Sequence, residues 1–393
     1  MVAISYDGSQ TNAGSSATTP KLANISNASG ADRTNFYHIT YQPGNLRVDQ
    51  QPVVVVIDGE KKSKIYDGKA EAVGYKVTEI RDSSGLYKKT DIKFNGSSSE
   101  QSVKKKDAGI YPLLLSNRFS NTNQNFQVDF LISDGELRID RRQLTITSDS
   151  ASKAYDGSEL RADNITVSVP AGVDYTGFVD GEGIIPTFLG GPIDSGMMPN
   201  FFEYALKSGT NLANYELDIQ FGQLKVKEVI KIQKTDLAWQ ALSGGKFELT
   251  KWDGLNWAQV DGVQEFAITS KDGIRIPVGL EAGRYRLQEL AAPDGFIVLD
   301  SYIYFSIKEI FNEDKTSSFY TVSLSDEAGK DASPERATLT KVSGDASHRI
   351  QVANEQGRAL PSTGGDGQKW FILSGLVLIA ISYLMHLFVQ RRR

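Results

Sequence analysis

Three polar residues in the C-terminal part of the chain sit where strand parity turns them inward. In Ile230-Lys231-Ile232-Gln233-Lys234 the apolar face is Ile230 and Ile232, and residues two apart share a face, so Lys234 points inward with them. The same parity places Glu289 beside Tyr285 and Leu287, and Asn354 beside Ile350 and Val352. An amine, a carboxyl and a carboxamide are thus delivered to one core, where burying them without purpose is costly. Desolvation lowers the pKa of the lysine and raises that of the glutamate, so a free amine faces an amide whose carbonyl a protonated Glu289 polarises. Held at contact distance, amine and amide condense with loss of ammonia, orientation replacing the bimolecular encounter. The plainer alternative is a buried Lys–Glu ion pair with Asn354 at a strand end.

The second chemically suggestive segment is Leu360-Pro361-Ser362-Thr363-Gly364. A short polar spacer, an apolar run from Phe371 to Val389 and Arg391-Arg392-Arg393 follow it. At the helical rise the run spans roughly 28 Å, the hydrocarbon thickness of a bilayer, and Trp370 suits the headgroup boundary. The arginines hold the end of the chain in the cytoplasm, which places everything before Trp370 outside the cell. Pro361 and the Ser-Thr-Gly-Gly run disfavour helix and keep the pentapeptide extended. His386, near the cytoplasmic end of the span, is expected to have no role. The order of pentapeptide, span and basic stop resembles the cell-wall sorting signal of Gram-positive surface proteins. That resemblance implies transient membrane insertion, attack by a sortase cysteine at the Thr363–Gly364 bond, transfer to a peptidoglycan cross-bridge, and a final location on the cell wall.

Gly244-Gly245-Lys246-Phe247-Glu248-Leu249, Gly279–Glu289 and Ala291-Ala292-Pro293-Asp294-Gly295-Phe296 resemble the SpaA-type pilin, or collagen-adhesin B-type, domain. The resemblance implies an immunoglobulin-like β-sandwich over residues 229–357, locked by an isopeptide bond between Lys234 and Asn354 with Glu289 as catalytic acid. In a chain without cysteine such a bond would do the work of a disulfide. No Tyr-Pro-Lys motif is present to donate the lysine of a polymerising shaft pilin.

These segments need a β scaffold, and the rest of the chain supplies one. Self-similarity returns at roughly 90 residues, the size of a small domain. Ser63-Lys64-Ile65-Tyr66-Asp67-Gly68 recurs as Ser152-Lys153-Ala154-Tyr155-Asp156-Gly157, and Asp107-Ala108-Gly109 as Asp194-Ser195-Gly196. Each unit closes on an Asn-aromatic strand, at Asn125-Phe126 and Asn214-Tyr215, and the N-terminal stretch repeats that close after Asn12-Ala13-Gly14 with Asn35-Phe36. Runs such as Val53–Ile57 and Leu144–Thr147 are β-branched, and Asp-Gly dipeptides mark turns. The units resemble MBG-type repeats of the YDG class. The Tyr-Asp-Gly motif itself reads as a buried tyrosine beside a turn rather than a calcium site, since no run of oxygen ligands surrounds it.

The expected architecture is therefore all-β, tandem small β-domains followed by an immunoglobulin-like β-sandwich and one C-terminal transmembrane helix. The boundaries are 1–52 for a truncated repeat, 53–143 and 144–228 for whole repeats, 229–357 for the SpaA-type domain, 358–370 for motif and spacer, 371–390 for the helix and 391–393 for the basic tail. The start of the chain carries no signal peptide, so the sequence is expected to be the C-terminal piece of a longer exported protein.

With no cysteine and three scattered histidines, neither thiol catalysis nor a metal or cofactor site is expected. The net charge of −5 argues against nucleic acid as a partner. The function expected is a sortase-anchored adhesin stalk whose repeats space rather than bind, with any host glycan or extracellular-matrix ligand bound by upstream regions. A minor or basal wall-linking pilin, and the wall anchor of an upstream hydrolase, are the rival readings.

Overall fold

The computed structural model describes residues 1–357 and 367–391. Among these, strands and short 3-10 turns run to residue 357, and one α-helix, Gly367–Gln390, follows. The described chain falls into two compact units. One contains 1–146, 167–186 and 204–220, the other 147–166, 187–203 and the residues from 221 onward, so the stretch 144–228 contributes to both.

In the first unit the β-branched run becomes the strand Gln51–Gly59, with Val53, Val55 and Ile57 buried on one face. It pairs in parallel with Phe126–Ser133 and antiparallel with Tyr75–Arg81. After a sharp turn both parallel strands continue as a second parallel pair, Lys61–Ile65 with Glu136–Asp140. The two turns cross at glycines, where a Cβ on Gly59 would lie 2.2 Å from the Gly135 nitrogen. The core beneath joins the three valine and isoleucine side chains to Tyr87, Leu113, Leu115, Phe119 and Phe126. Ahead of it, Val2–Asp7, Gly14–Ile25 and Gly44–Val48 form a three-stranded antiparallel meander.

In the second unit Ala151–Ala154 lies parallel to Gln223–Lys227, again beside a glycine at close quarters. A Cβ on Gly222 would sit 2.4 Å from the Ser148 carbonyl oxygen. Residues 230–354 form a two-sheet sandwich. One sheet holds Ile230–Asp236, His348–Asn354 and Ala337–Lys341, and the other holds Lys246–Trp252, Gly283–Ala291, Ile303–Phe311 and Ser318–Ser325. Their inner faces meet in one core, with Ile230, Ile232, Ile350 and Val352 against Phe247, Leu249, Tyr285, Leu287 and Phe305. Gly196–Pro199 pairs with Gln223–Lys227 on one side and, through Gly196 and Met197, with Phe319 and Ser318 on the other. The result is a nine-stranded sheet running from Ala151–Ala154 into the sandwich.

The helix is long and apolar enough over Ile372–Gln390 to cross a bilayer, by length and composition.

The Gly59–Gly135 crossing yields a prediction. Gly59→Ala would force backbone against backbone and should cost about 1–3 kcal/mol, lowering the calorimetric transition of the first unit. Gly74→Ala, whose Cβ would meet only the Gln101 carbonyl at 3.7 Å, should leave that transition nearly unmoved.

Candidate functional site

The first and last strands of the sandwich are neighbours, Ile230–Asp236 lying parallel to His348–Asn354 with Lys234 opposite Val352 and Asp236 opposite Asn354. Alternation along each strand turns Lys234 and Asn354 to the same inner face. Glu289 comes from the facing sheet, where it pairs with Phe247 after a register shift at Lys246. All three residues are buried, Lys234 and Asn354 completely and Glu289 to 4% exposure.

They form a closed set of contacts. The Lys234 Nζ donates to Asn354 Oδ1 and to the Val352 carbonyl oxygen, the latter at 3.0 Å, and lies 3.1 Å from Glu289 Oε1. The Asn354 Nδ2 donates to Glu289 Oε2 at 2.7 Å and to the Ile297 carbonyl oxygen at 2.8 Å. Glu289 Oε2 also accepts the Leu299 N–H at 2.7 Å, and the Phe247 ring lies 5.7 Å from the ammonium. Burial pulls the Lys234 pKa down to about 8 from its ordinary 10.5, with the Glu289 carboxylate working the other way. A minor share of the amine, roughly a tenth at pH 7, is therefore neutral, in contact with an amide whose nitrogen is hydrogen-bonded to the carboxyl of Glu289. The arrangement holds the components of an amine–amide condensation, a nucleophile, an acyl group and a group able to carry a proton to the departing nitrogen.

In the structure parity brings Lys234, Glu289 and Asn354 into contact. It did not reveal the backbone groups that hold them. Those come from the irregular segment after Ala291-Ala292-Pro293-Asp294-Gly295-Phe296, where the Phe296 N–H closes a turn onto the Pro293 carbonyl and the Ile297 N–H bonds Glu355 at 2.9 Å. This lays Ile297 and Leu299 over the site. On the other side Gly244 and Gly245, with φ of 97° and 95°, let the chain pass against Pro293. The Pro-Asp-Gly turn was a visible signal for a fixed loop, though not for which amide and carbonyl it would present. Leu360, Pro361, Ser362, Thr363 and Gly364 lie outside the described residues. His386 sits on the helix with its Nε2 3.0 Å from the Gln390 Nε2.

Comparison with known proteins agrees with the sandwich. Residues 228–321 match the SpaA family model, described as a prealbumin-like fold domain; the match includes Lys234 and Glu289 and ends before Asn354. None of the curated proteins matches significantly. Among solved structures, a variant of the major pilin subunit of Bacillus cereus is 25% identical over 33% of this chain and 28% of its own, with a TM-score of 0.20. The pilus 2b backbone protein of group B streptococcus is 19% identical over 42% of this chain and 51% of its own, with a TM-score of 0.24. The Bacillus anthracis TIE protein is 11% identical over 77% and 74%, with a TM-score of 0.32. The chain thus spans between about a quarter and a half of the first two of these relatives.

The lowered lysine pKa has a consequence for stability. In Asn354→Ala, where no condensation is possible, the unfolded chain binds the Lys234 proton up to about pH 10.5 and the folded one releases it near 8. Between those values the unfolded state holds more protons, so stability should rise with pH by about 3 kcal/mol, and show no such rise below 8. Urea denaturation against pH checks this, with Lys234→Met/Asn354→Ala as the baseline in which the rise is absent.

Proposed function

We propose that the chain is the membrane-proximal part of a Gram-positive surface protein, attached to the cell wall by sortase and stiffened by an internal isopeptide bond, and that it serves as the stalk of an adhesin. The observation that carries the reading is the buried contact of Lys234, Glu289 and Asn354 inside a SpaA-type domain. The neutral Lys234 Nζ attacks Asn354 Cγ, the new C–N bond forms, and the bond from Cγ to the amide nitrogen breaks. Glu289 takes one proton from the attacking amine and passes one to the leaving nitrogen, which departs as ammonia. One amide replaces another, so no cofactor or oxidant is required. The cross-link would close a loop of 120 residues, an entropic constraint on the unfolded chain of about 5 kcal/mol by analogy with a disulfide.

Anchoring follows from the tail. A sortase thiolate would attack the Thr363 carbonyl carbon, release the amine of Gly364 with the helix, and pass the acyl group to a cross-bridge amine. The helix Gly367–Gln390 with Arg391 behind it supplies the membrane stop that such a step needs. A minor or basal pilin uses the same tail and domain; it would differ in being joined to a pilus, where the stalk stands alone.

Two outcomes are expected. Intact protein should weigh one ammonia less than its sequence mass, with a branched tryptic peptide joining Lys234 to Asn354, while Lys234→Ala, Glu289→Ala and Asn354→Ala each restore the full mass. An unmodified parent mass refutes the bond. Protein released from cell walls should end at Thr363 joined to a peptidoglycan fragment, and recovery of wall-bound chains still carrying Arg391–Arg393 would exclude sortase anchoring.

A further inference from the structure

In two of its copies the Tyr-Asp-Gly motif lies where its own repeat meets the next stretch. Tyr66 belongs to the stretch 53–143, yet it is absent from that stretch's core around Val55, Leu115 and Phe126. It is buried in a second cluster, with Val73, Leu137 and Ile139 of its own stretch and Leu144, Tyr175 and Tyr215 of the following one. Its hydroxyl donates to Glu182 Oε1 at 2.7 Å, and Tyr215 donates to the other oxygen of the same carboxylate at 2.6 Å. The two rings meet edge to face at 5.6 Å. Gly68, with φ of 76°, has no room for a side chain, since a Cβ would lie 2.7 Å from Val179 Cγ1 of the following stretch.

The second copy does the same with a different neighbour. Tyr155 is buried with Leu160, Leu224 and Val226 of its own stretch and with Val229 and Ala346 of the sandwich domain, and its carbonyl oxygen accepts from Arg275 at 2.9 Å. Gly157 also has φ of 76°, and its Cβ would lie 3.0 Å from the Gly344 carbonyl oxygen. The aspartates in between serve the turn itself. Asp67 accepts the Lys69 N–H at 2.9 Å and pairs with Lys64, and Asp156 accepts the Ser158 N–H at 2.9 Å and pairs with Lys153.

We infer that the Tyr-Asp-Gly motif, in the copies at Tyr66 and Tyr155, is a docking element that fastens its β-module to the module that follows, the tyrosine packing in a core shared by the two and the glycine leaving room for the neighbour's atoms. Its partner is a β-module offering an apolar hollow and a hydrogen-bonding group at the rim, and the partner need not be a repeat, since the sandwich serves as well. This holds whether or not the chain is anchored by sortase or carries the isopeptide bond.

A second fastener accompanies the first. Asn214 Oδ1 accepts the Ala108 N–H at 2.7 Å while its Nδ2 donates to Asp107 Oδ1 at 2.9 Å. Asn125 makes the same pair of bonds to Ala13 and Asn12 at 2.7 and 3.0 Å. At that N-terminal joint the asparagine clip stands without the latch. The chain holds a third Tyr-Asp-Gly there, Tyr6-Asp7-Gly8, whose tyrosine is 67% exposed.

The chain has no cysteine, so two introduced ones label it uniquely for distance measurement by electron paramagnetic resonance. Spin labels at Leu86→Cys and Asp218→Cys, in the full chain held in detergent micelles, report the joint closed by Tyr66. The parent should give one narrow distance distribution. Tyr66→Ala should broaden it at least twofold, and so should Val179→Asp, which disturbs the joint from the partner's side and leaves Tyr66 untouched. Tyr6→Ala should leave it unchanged. If Tyr66→Ala fails to fold, Val179→Asp alone decides. A distribution as narrow in Val179→Asp as in the parent, with unchanged far-ultraviolet circular dichroism, overturns the latch and leaves Tyr66 an ordinary core residue.

Discussion

The sandwich is organised around the cost of holding an ammonium group out of water. Lys234 has no solvent contact, and the two groups that offset its burial come from places far apart in sequence, Glu289 from the facing sheet and Asn354 from the last strand. Removing one partner would leave a buried charge or amide uncompensated, a penalty of several kcal/mol against the small net stability of a domain. The parallel pairing of first and last strands, the glycine passage at Gly244–Gly245 and the turn at Pro293–Phe296 each place one of those partners or a backbone group that supports it. The polar trio therefore constrains the register of both sheets more tightly than the surrounding aliphatic core, which tolerates changes of shape at conserved volume.

How much was legible in the sequence depended on the range of the interaction. Alternation is a local property, so the inward direction of Lys234, Glu289 and Asn354 could be read from five-residue windows, as could the all-β character from the Val53–Ile57 run and the Asp-Gly turns. The supporting bonds from Ile297 and Leu299 could not, because they are made by main-chain atoms of an irregular segment and carry no side-chain signature. Nor could the crossings at Gly59 with Gly135 or at Gly222. A lone glycine in a strand pattern announces close approach without saying to what.

The repeats show the same limit from another side. Their period predicts tandem modules of about 90 residues. In the structure Tyr66 is buried in a cluster shared with Tyr175 and Tyr215 of the following stretch, and the strands of 144–228 fall into both compact units. The contact between Tyr66 and Glu182 spans 116 residues and pairs a motif residue with an unremarked glutamate in a loop. Repetition revealed that Tyr66 and Tyr155 are used alike, and only the fold shows that the use lies between modules.

The parallel pairing of Ile230–Asp236 with His348–Asn354 also decides how the domain meets a pull on its ends. Tension enters the first strand at Ile230 and leaves the last at Asn354, at opposite ends of the pair, so all seven residue pairs are loaded in shear at once rather than unzipped one by one. With Lys234 bonded to Asn354, the line of force would pass from Ile230 through four residues of strand and straight out across the side-chain bridge. Residues 235–353 would then hang from the tether as a slack loop, and a protease that nicked any exposed turn among them would leave the two ends of the domain still joined.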